Sequence, residues 1–127
     1  MEFESLIAAF NGSKRNKKLF GLVVYEIAGN GCLNGMWTNN FNSTTFMQEI
    51  ARKTELTTGD NLIGEYSVTY IESNGECCNG ILNITIPNSG RIYNLTWNID
   101  GNIIFEGIGM NTGERQLTVF YWGIENE

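Results

Sequence analysis

The sequence contains no histidine, and only 8 basic residues stand against 14 acidic ones. Without histidine the chain lacks the imidazole base of Ser-His-Asp and Cys-His enzymes, a common zinc ligand, and the usual proton carrier near neutral pH. The net charge of −6 also excludes the basic surface of a general nucleic-acid-binding protein. We therefore expect a protein without catalytic residues, and we expect no nucleic-acid partner.

Long apolar runs are missing as well. No stretch approaches the roughly 18 consecutive apolar residues of a membrane-spanning helix, so we expect no membrane span. The chain starts with MEFESLIAAFNG, which is acidic where a signal peptide would be basic. The compartment stays open between the cytoplasm and, if a signal peptide has been removed, secretion or the periplasm.

Cysteine is scarce, and the three cysteines cannot all pair within the chain. Two interpretations stay open. Cys77 and Cys78 are free thiols in a turn-like stretch between Ser73 and Gly80, or one of them forms a disulfide with Cys32. A structural zinc site needs more nitrogen and sulfur ligands than this chain offers, and a redox C-x-x-C motif is absent. We expect no metal and no cofactor.

Alternating polarity is the main pattern in what remains. Hydrophobic residues make up 42% of the 127 positions, enough for one globular domain over residues 1–127. From 91 to 99, Tyr93, Leu95 and Trp97 alternate with polar residues, which predicts a strand with one buried face. Similar alternating runs occur at 66–70, 82–86 and 117–121. Residues 20–27 are apolar on both faces, and 103–110 contain Gly107 and Gly109, which indicate a bent strand; we assign both as strands. The segments 2–10 and 45–53 fit a helix or a strand, and we assign both as strands because their neighbours are strands.

Turn signals separate these runs. Glycine occurs 15 times and proline once, and the Asn-Gly and Asp-Gly pairs are typical of hairpin turns. The pairs begin at Asn30, Asn34, Asn74, Asn79 and Asp100. Residues 6–12 also resemble residues 117–123, as expected if the two ends of the chain are equivalent strands. The sequence predicts an all-β, antiparallel up-and-down β-barrel of about eight or nine strands, with the N- and C-terminal strands adjacent.

Two sets of side chains carry alternative interpretations. Glu106 shares a strand face with Ile108 and Met110. If that face is inside the barrel, the Glu106 carboxyl is buried and its pKa is raised. If that face is outside, the carboxyl lies in solvent, and we favour this second alternative. Five aromatic residues are predicted to point into one interior, where they fill the barrel or line a ligand pocket. They are Trp37, Tyr66, Tyr93, Trp97 and Tyr121.

Cys32-Leu-Asn-Gly-Met-Trp-Thr-Asn-Asn40 and the segments 62–70, 93–97 and 118–122 form an ordered series of short motifs. The series resembles calycin barrels, the group that includes avidins, lipocalins and fatty-acid-binding proteins, and its first motif is similar to the first avidin strand. The resemblance implies a calycin-like barrel in which Asn39, Ser43 and Tyr66 match polar ligand contacts and Trp97 matches a wall tryptophan. Val68 stands where avidins have a hydroxyl.

A second resemblance covers more of the chain. The order of Gly21-Leu-Val-Val-Tyr, Gly35-Met-Trp37, Gly64-Glu-Tyr66 and Gly107-Ile-Gly109 is similar to an uncharacterised bacterial β-barrel family. We expect a non-enzymatic barrel that binds a small, largely apolar ligand through Asn39, Ser43, Tyr66 and Trp97. The alternative is a filled barrel whose outer surface binds a protein partner or a second copy of the chain, as an inhibitor or assembly module.

Overall fold

The computed structural model describes residues 19–55, 62–72, 74–86 and 91–124, and these residues form a closed β-barrel. Each strand pairs antiparallel with the next, and the last described strand pairs with the first, which confirms the predicted up-and-down topology. The predicted strand at 2–10 and its likeness to 117–123 lie outside the described residues. The eight strands are β1 (Phe20–Ala28), β2 (Cys32–Asn39), β3 (Asn42–Lys53), β4 (Gly64–Ile71), β5 (Cys77–Thr85), β6 (Tyr93–Ile99), β7 (Asn102–Gly113) and β8 (Gln116–Gly123).

The predicted alternation places one face of each strand inside the barrel. Tyr66, Val68 and Tyr70 of β4 are buried, whereas the residues between them are exposed. The segment 45–53 lies within β3 and is a strand, as predicted. The interior is a single cluster of buried side chains: Val23, Tyr25, Leu33, Ala51, Leu62, Tyr66, Val68, Leu82, Ile84, Leu95, Trp97, Leu117, Val119 and Tyr121.

The Asn-Gly and Asp-Gly pairs divide into turns and strand positions. Asn30-Gly31 and Asp100-Gly101 are hairpin turns in which both residues have positive φ, from 54° to 86°. Asn34-Gly35 and Asn79-Gly80 lie within β2 and β5, so the turn prediction was wrong for these two pairs. Both glycines face inward, where a neighbouring chain segment comes too close for a side chain.

The two ends of the barrel differ. We call the end where β2 turns into β3 the Asn39 end, and it also carries the β4–β5 and β6–β7 connections. At the opposite end the interior is filled by apolar side chains, and the Tyr66 hydroxyl donates a hydrogen bond to the carbonyl oxygen of Leu62 at 2.8 Å. A site inside the barrel is therefore accessible from the Asn39 end.

All three cysteines are free. Cys32 begins β2 at the opposite end, whereas Cys77 and Cys78 begin β5 at the Asn39 end. The length of the barrel therefore separates them, and the predicted disulfide alternative was wrong. The adjacent thiols are strand residues after a turn at 74–75, and Ser73 lies outside the described residues.

Among the residues described, no helix has the length and hydropathy to cross a membrane.

Candidate functional site: a cavity with a buried carboxyl

A cavity of about 100 Å³ lies inside the barrel at the Asn39 end. Whole drug-sized ligands occupy sites of about 300–1,000 Å³, so this space fits the terminal group of a ligand or a very small molecule. Apolar and aromatic side chains form most of its wall, and the polar groups are few. The aromatic lining residues are Trp37, Tyr70, Trp97, Phe105 and Tyr121, and the polar ones are Asn39, Glu49 and Glu72.

Among the residues that the structure describes, Glu49 is the only buried charged residue, with 6% of its surface exposed. It lies on β3, and its Oε2 atom accepts hydrogen bonds from the Tyr25 hydroxyl and from Nε1 of Trp97, the latter at 3.3 Å. The donors come from β1 and β6, on other sides of the barrel. The carboxyl is thus held at the cavity wall by two side chains that are themselves buried.

The strand register explains how Tyr25 reaches Glu49. Tyr25 pairs with Gly35 on β2, and Gly35 pairs with Glu49 on β3, so the three residues form one row across the sheet. Gly35 has no side chain, and a Cβ atom there would lie 2.8 Å from two ring carbons of Tyr25. The tyrosine ring therefore lies over Gly35, and its hydroxyl contacts the carboxyl of Glu49 on β3.

Burial shifts the titration of this group. Removal from water raises the pKa of Glu49 to about 7, and the hydrogen bonds from Tyr25 and Trp97, which favour the charged form, oppose that shift only in part. Burial and the neighbouring Glu49 raise the pKa of Tyr25 well above its usual value of 10. Tyr25 therefore stays protonated and donates to Glu49 in both states of the carboxyl.

One carboxyl oxygen of Glu49 accepts both hydrogen bonds, and the other accepts none from the part of the chain that the structure describes. Tyr25 and Trp97 both donate to Oε2 of Glu49, and no described residue donates a hydrogen bond to Oε1. No fully enclosed polar side-chain atom of the described residues lacks a partner, so Oε1 is not fully enclosed, and Glu49 is one of the residues that line the cavity. The site can accept one further hydrogen bond at its wall.

The predicted site residues lie in different parts of the barrel. Asn39 and Trp97 both line the cavity, and Oδ1 of Asn39 also accepts a hydrogen bond from the backbone nitrogen of Phe41 at 2.9 Å. Ser43 is the second residue of β3, which begins at the Asn39 end. Tyr66 is buried at the opposite end against Leu62, away from the cavity. The structure brings together Asn39 and Trp97, and it does not bring Tyr66 to them.

Sequence reasoning missed Glu49, the most perturbed carboxyl of the site. Its signal was present, since Glu49 lies between Met47 and Ala51 on the inward face of a strand, but 45–53 also fitted a helix.

Glu106 shares the outer face of β7 with the exposed residues Ile108 and Met110, which is the alternative that we favoured from the sequence. No cluster of three or more metal-ligating side chains is present among the residues described.

Comparison of the chain with protein-family models, with curated proteins and with solved structures gave no match. The fold and the site by themselves define a small closed antiparallel β-barrel of eight strands. It is filled at one end and has a cavity beside a buried carboxyl at the other.

Proposed function

We propose that this protein is a non-enzymatic, calycin-like binding barrel that takes a small, largely apolar ligand into the cavity at the Asn39 end. The observation that carries the proposal is the position of that cavity in an otherwise filled interior. Small-molecule sites combine an apolar wall with a few polar groups that orient the ligand. Here the aromatic residues supply the wall, and Asn39 and Glu49 supply the polar groups.

The size of the cavity defines how a ligand would lie. A space of about 100 Å³ receives a compact terminal group, and the remainder of a longer molecule would extend towards the mouth beside Asn39 and Leu19. Trp37 and Trp97 line the cavity, whereas Trp122 lies on the outer face and packs on Phe120 with ring centroids 5.7 Å apart. Tryptophan emission therefore reports on entry of a ligand.

Two neighbouring valines allow a matched test. Val23 is 1% exposed and lines the cavity, whereas Val24 is 38% exposed on the outer face. Val23→Phe should fill the cavity, and Val24→Phe adds the same ring outside. We would titrate hexan-1-ol, biotin and decanoate and follow tryptophan emission. At least one probe should give a saturable change with the native protein and Val24→Phe, and none with Val23→Phe.

Folding controls accompany this experiment. An added ring in a packed interior costs about 1–3 kcal/mol, so each variant is first checked by thermal unfolding. If Val23→Phe does not fold, Asn39→Ala with Asn34→Ala as control replaces it, because Asn34 lies on the exposed face of the same strand. The absence of a saturable signal from the native protein with every one of these probes, and with small organic cations as well, would refute the proposal.

The outer surface favours a second candidate function, an interaction module. Val24 and Met36 lie directly opposite each other on β1 and β2, and with Ile50 they leave apolar side chains in solvent. They border an outer groove of about 610 Å³ that reaches Arg115 in the β7–β8 turn. Exposed apolar patches of this kind are typical of contact surfaces. Sedimentation velocity over a range of concentrations tests self-association, which Met36→Lys should abolish.

A further inference from the structure

The cavity is built from aromatic walls that meet at steep angles. The rings of Trp97 and Phe105 are 6.4 Å apart at 87°, and those of Phe105 and Tyr121 are 5.8 Å apart at 87°. Trp37 and Tyr70 form a similar corner, 6.1 Å apart at 79°. Perpendicular aromatic faces around a small space form the kind of cage that binds methylated ammonium groups, because each π face attracts a cation.

The charged groups at the cavity carry only one sign. Glu49 and Glu72 line it, and no lysine or arginine among the described residues does so. Among the described residues no cationic side chain on this wall balances the carboxylate, and an entering cation would supply that charge. The free Oε1 atom of Glu49 is the place where it would bind.

We propose that the terminal group entering the cavity is a small organic cation, an ammonium or methylated ammonium, held between the aromatic rings and the Glu49 carboxylate. This inference rests on the proposed function and names the chemistry of the ligand. The volume of about 100 Å³ suits such a compact head group. The apolar remainder of the ligand would lie towards Leu19 at the mouth.

The state of the carboxyl makes this recognition dependent on pH. The pKa of Glu49 is raised to about 7, so the carboxyl is neutral below that pH and charged above it. A cation of fixed charge should therefore bind more tightly at about pH 8.5 than at about pH 6.

The polar and titratable groups that face Glu49 or share the cavity with it come from five strands. They are Tyr25 from β1, Asn39 from β2, Tyr70 and Glu72 from β4 and its end, Trp97 from β6 and Tyr121 from β8. Burial raises the pKa values of Tyr25, Tyr70 and Tyr121, so these groups do not titrate in this range.

The test compares three ligands of nearly equal shape and different charge. Choline is the cation, 3,3-dimethylbutan-1-ol is its neutral isostere and 3,3-dimethylbutanoate is an anion. We would measure dissociation constants by calorimetry and tryptophan emission at about pH 8.5 and about pH 6. The native protein should bind choline at least about tenfold more tightly than the neutral isostere at the higher pH, and the anion should bind most weakly.

Variants assign the preference to the buried carboxyl. Glu49→Gln keeps the shape and the acceptor oxygen, so it should bind the neutral isostere normally, lose the preference for choline and lose its pH dependence. Glu65→Gln, on the exposed face of β4, removes the same charge elsewhere and should change nothing. If Glu49→Gln does not fold, Glu72→Gln should lower the preference for choline, because Glu72 also lines the cavity.

The outcomes separate the two proposals. Equal or tighter binding of the neutral isostere by the native protein would overturn the cation assignment and leave the binding barrel standing. An unchanged choline preference in Glu49→Gln would overturn it too. If neither these ligands nor hexan-1-ol, biotin and decanoate bind, the proposed function fails together with this inference.

Discussion

Glu49 has a raised pKa because its carboxyl is buried in the barrel, away from water. The two hydrogen bonds that it accepts lower the pKa by less than burial raises it. Tyr25 and Trp97 donate to one oxygen and stabilise the charged form, yet burial shifts the pKa to about 7. A buried carboxylate without a cationic partner is costly to the folded state. The protein thus keeps at its cavity a group that would destabilise it at alkaline pH, as is common for functional sites.

The stability of the protein should depend on pH through this one residue. An unfolded glutamate has a pKa near about 4.3. Between that value and the folded pKa of about 7, the folded protein keeps a proton that the unfolded chain releases. The free energy of unfolding therefore falls as the pH rises through this window, by at most about 4 kcal/mol, and the loss is complete above it.

Urea unfolding at about pH 5 and about pH 8 measures this effect against two variants. Glu49→Gln removes the titrating group, so its stability relative to the native protein should rise between the two pH values. Glu65→Gln serves as the control for loss of one exposed carboxylate. Parallel pH profiles of the native protein and Glu49→Gln would show that the carboxyl is not perturbed as described.

At the scale of the strands, Gly35 is the position that allows the site to form. The glycine lies on the inward face of β2 between Tyr25 and Glu49, in one row of the sheet. A side chain there would meet the Tyr25 ring, and the hydroxyl would lose its path to the carboxyl. The Gly-x-Trp motif of the sequence therefore has a local physical role, since its glycine makes space and its tryptophan lines the cavity.

Gly35→Ala should destabilise the protein by about 1–3 kcal/mol, because the added Cβ would lie 2.8 Å from the Tyr25 ring. Gly29→Ala is the matched control, since a Cβ at Gly29 meets no atom within 4 Å. Chemical denaturation of the two variants provides the comparison. Equal stability of Gly35→Ala and Gly29→Ala would mean that the ring does not depend on the glycine.

At the scale of the whole molecule, closure between β1 and β8 holds the barrel together. Seven residue pairs join these strands, from Phe20 with Trp122 to Glu26 with Gln116. Closure also satisfies the backbone groups that would otherwise form two exposed edges. It brings Val119 and Tyr121 into the same core as Val23, so both ends of the described chain contribute to one interior.

A chain that ends at Glu114 lacks β8 and should not form a stable monomer. It would lose Leu117, Val119 and Tyr121 from the core and expose the edges of β1 and β7. Size-exclusion chromatography should show aggregates, and thermal unfolding should show no cooperative transition. A chain that ends at Ile124 keeps β8 and is the control. A cooperative monomer from the shorter chain would contradict the closed barrel.

The local sequence determined the architecture. Polarity with a period of two predicted the strands from 91 to 99 and from 66 to 70, and Asn30-Gly31 and Asp100-Gly101 predicted two tight turns, because strand faces and positive φ are local properties. Alternation along several short runs with turn signals between them predicted an up-and-down barrel of about eight or nine strands. The likeness of Asn39 and Trp97 to ligand-binding positions also led to residues that line the cavity.

The tertiary structure alone decided where the cavity lies and which carboxyl it buries. Tyr66 and Trp97 both face inward, but only the strand registers place Tyr66 at the filled end and Trp97 beside the cavity. Likewise, Asn34-Gly35 has the local sequence of a turn, but in the barrel both residues pair with β1 on one side and β3 on the other and are part of a strand. Alternation along one strand shows which side is inside, whereas the contents of the interior depend on the stagger between strands, which no single strand encodes.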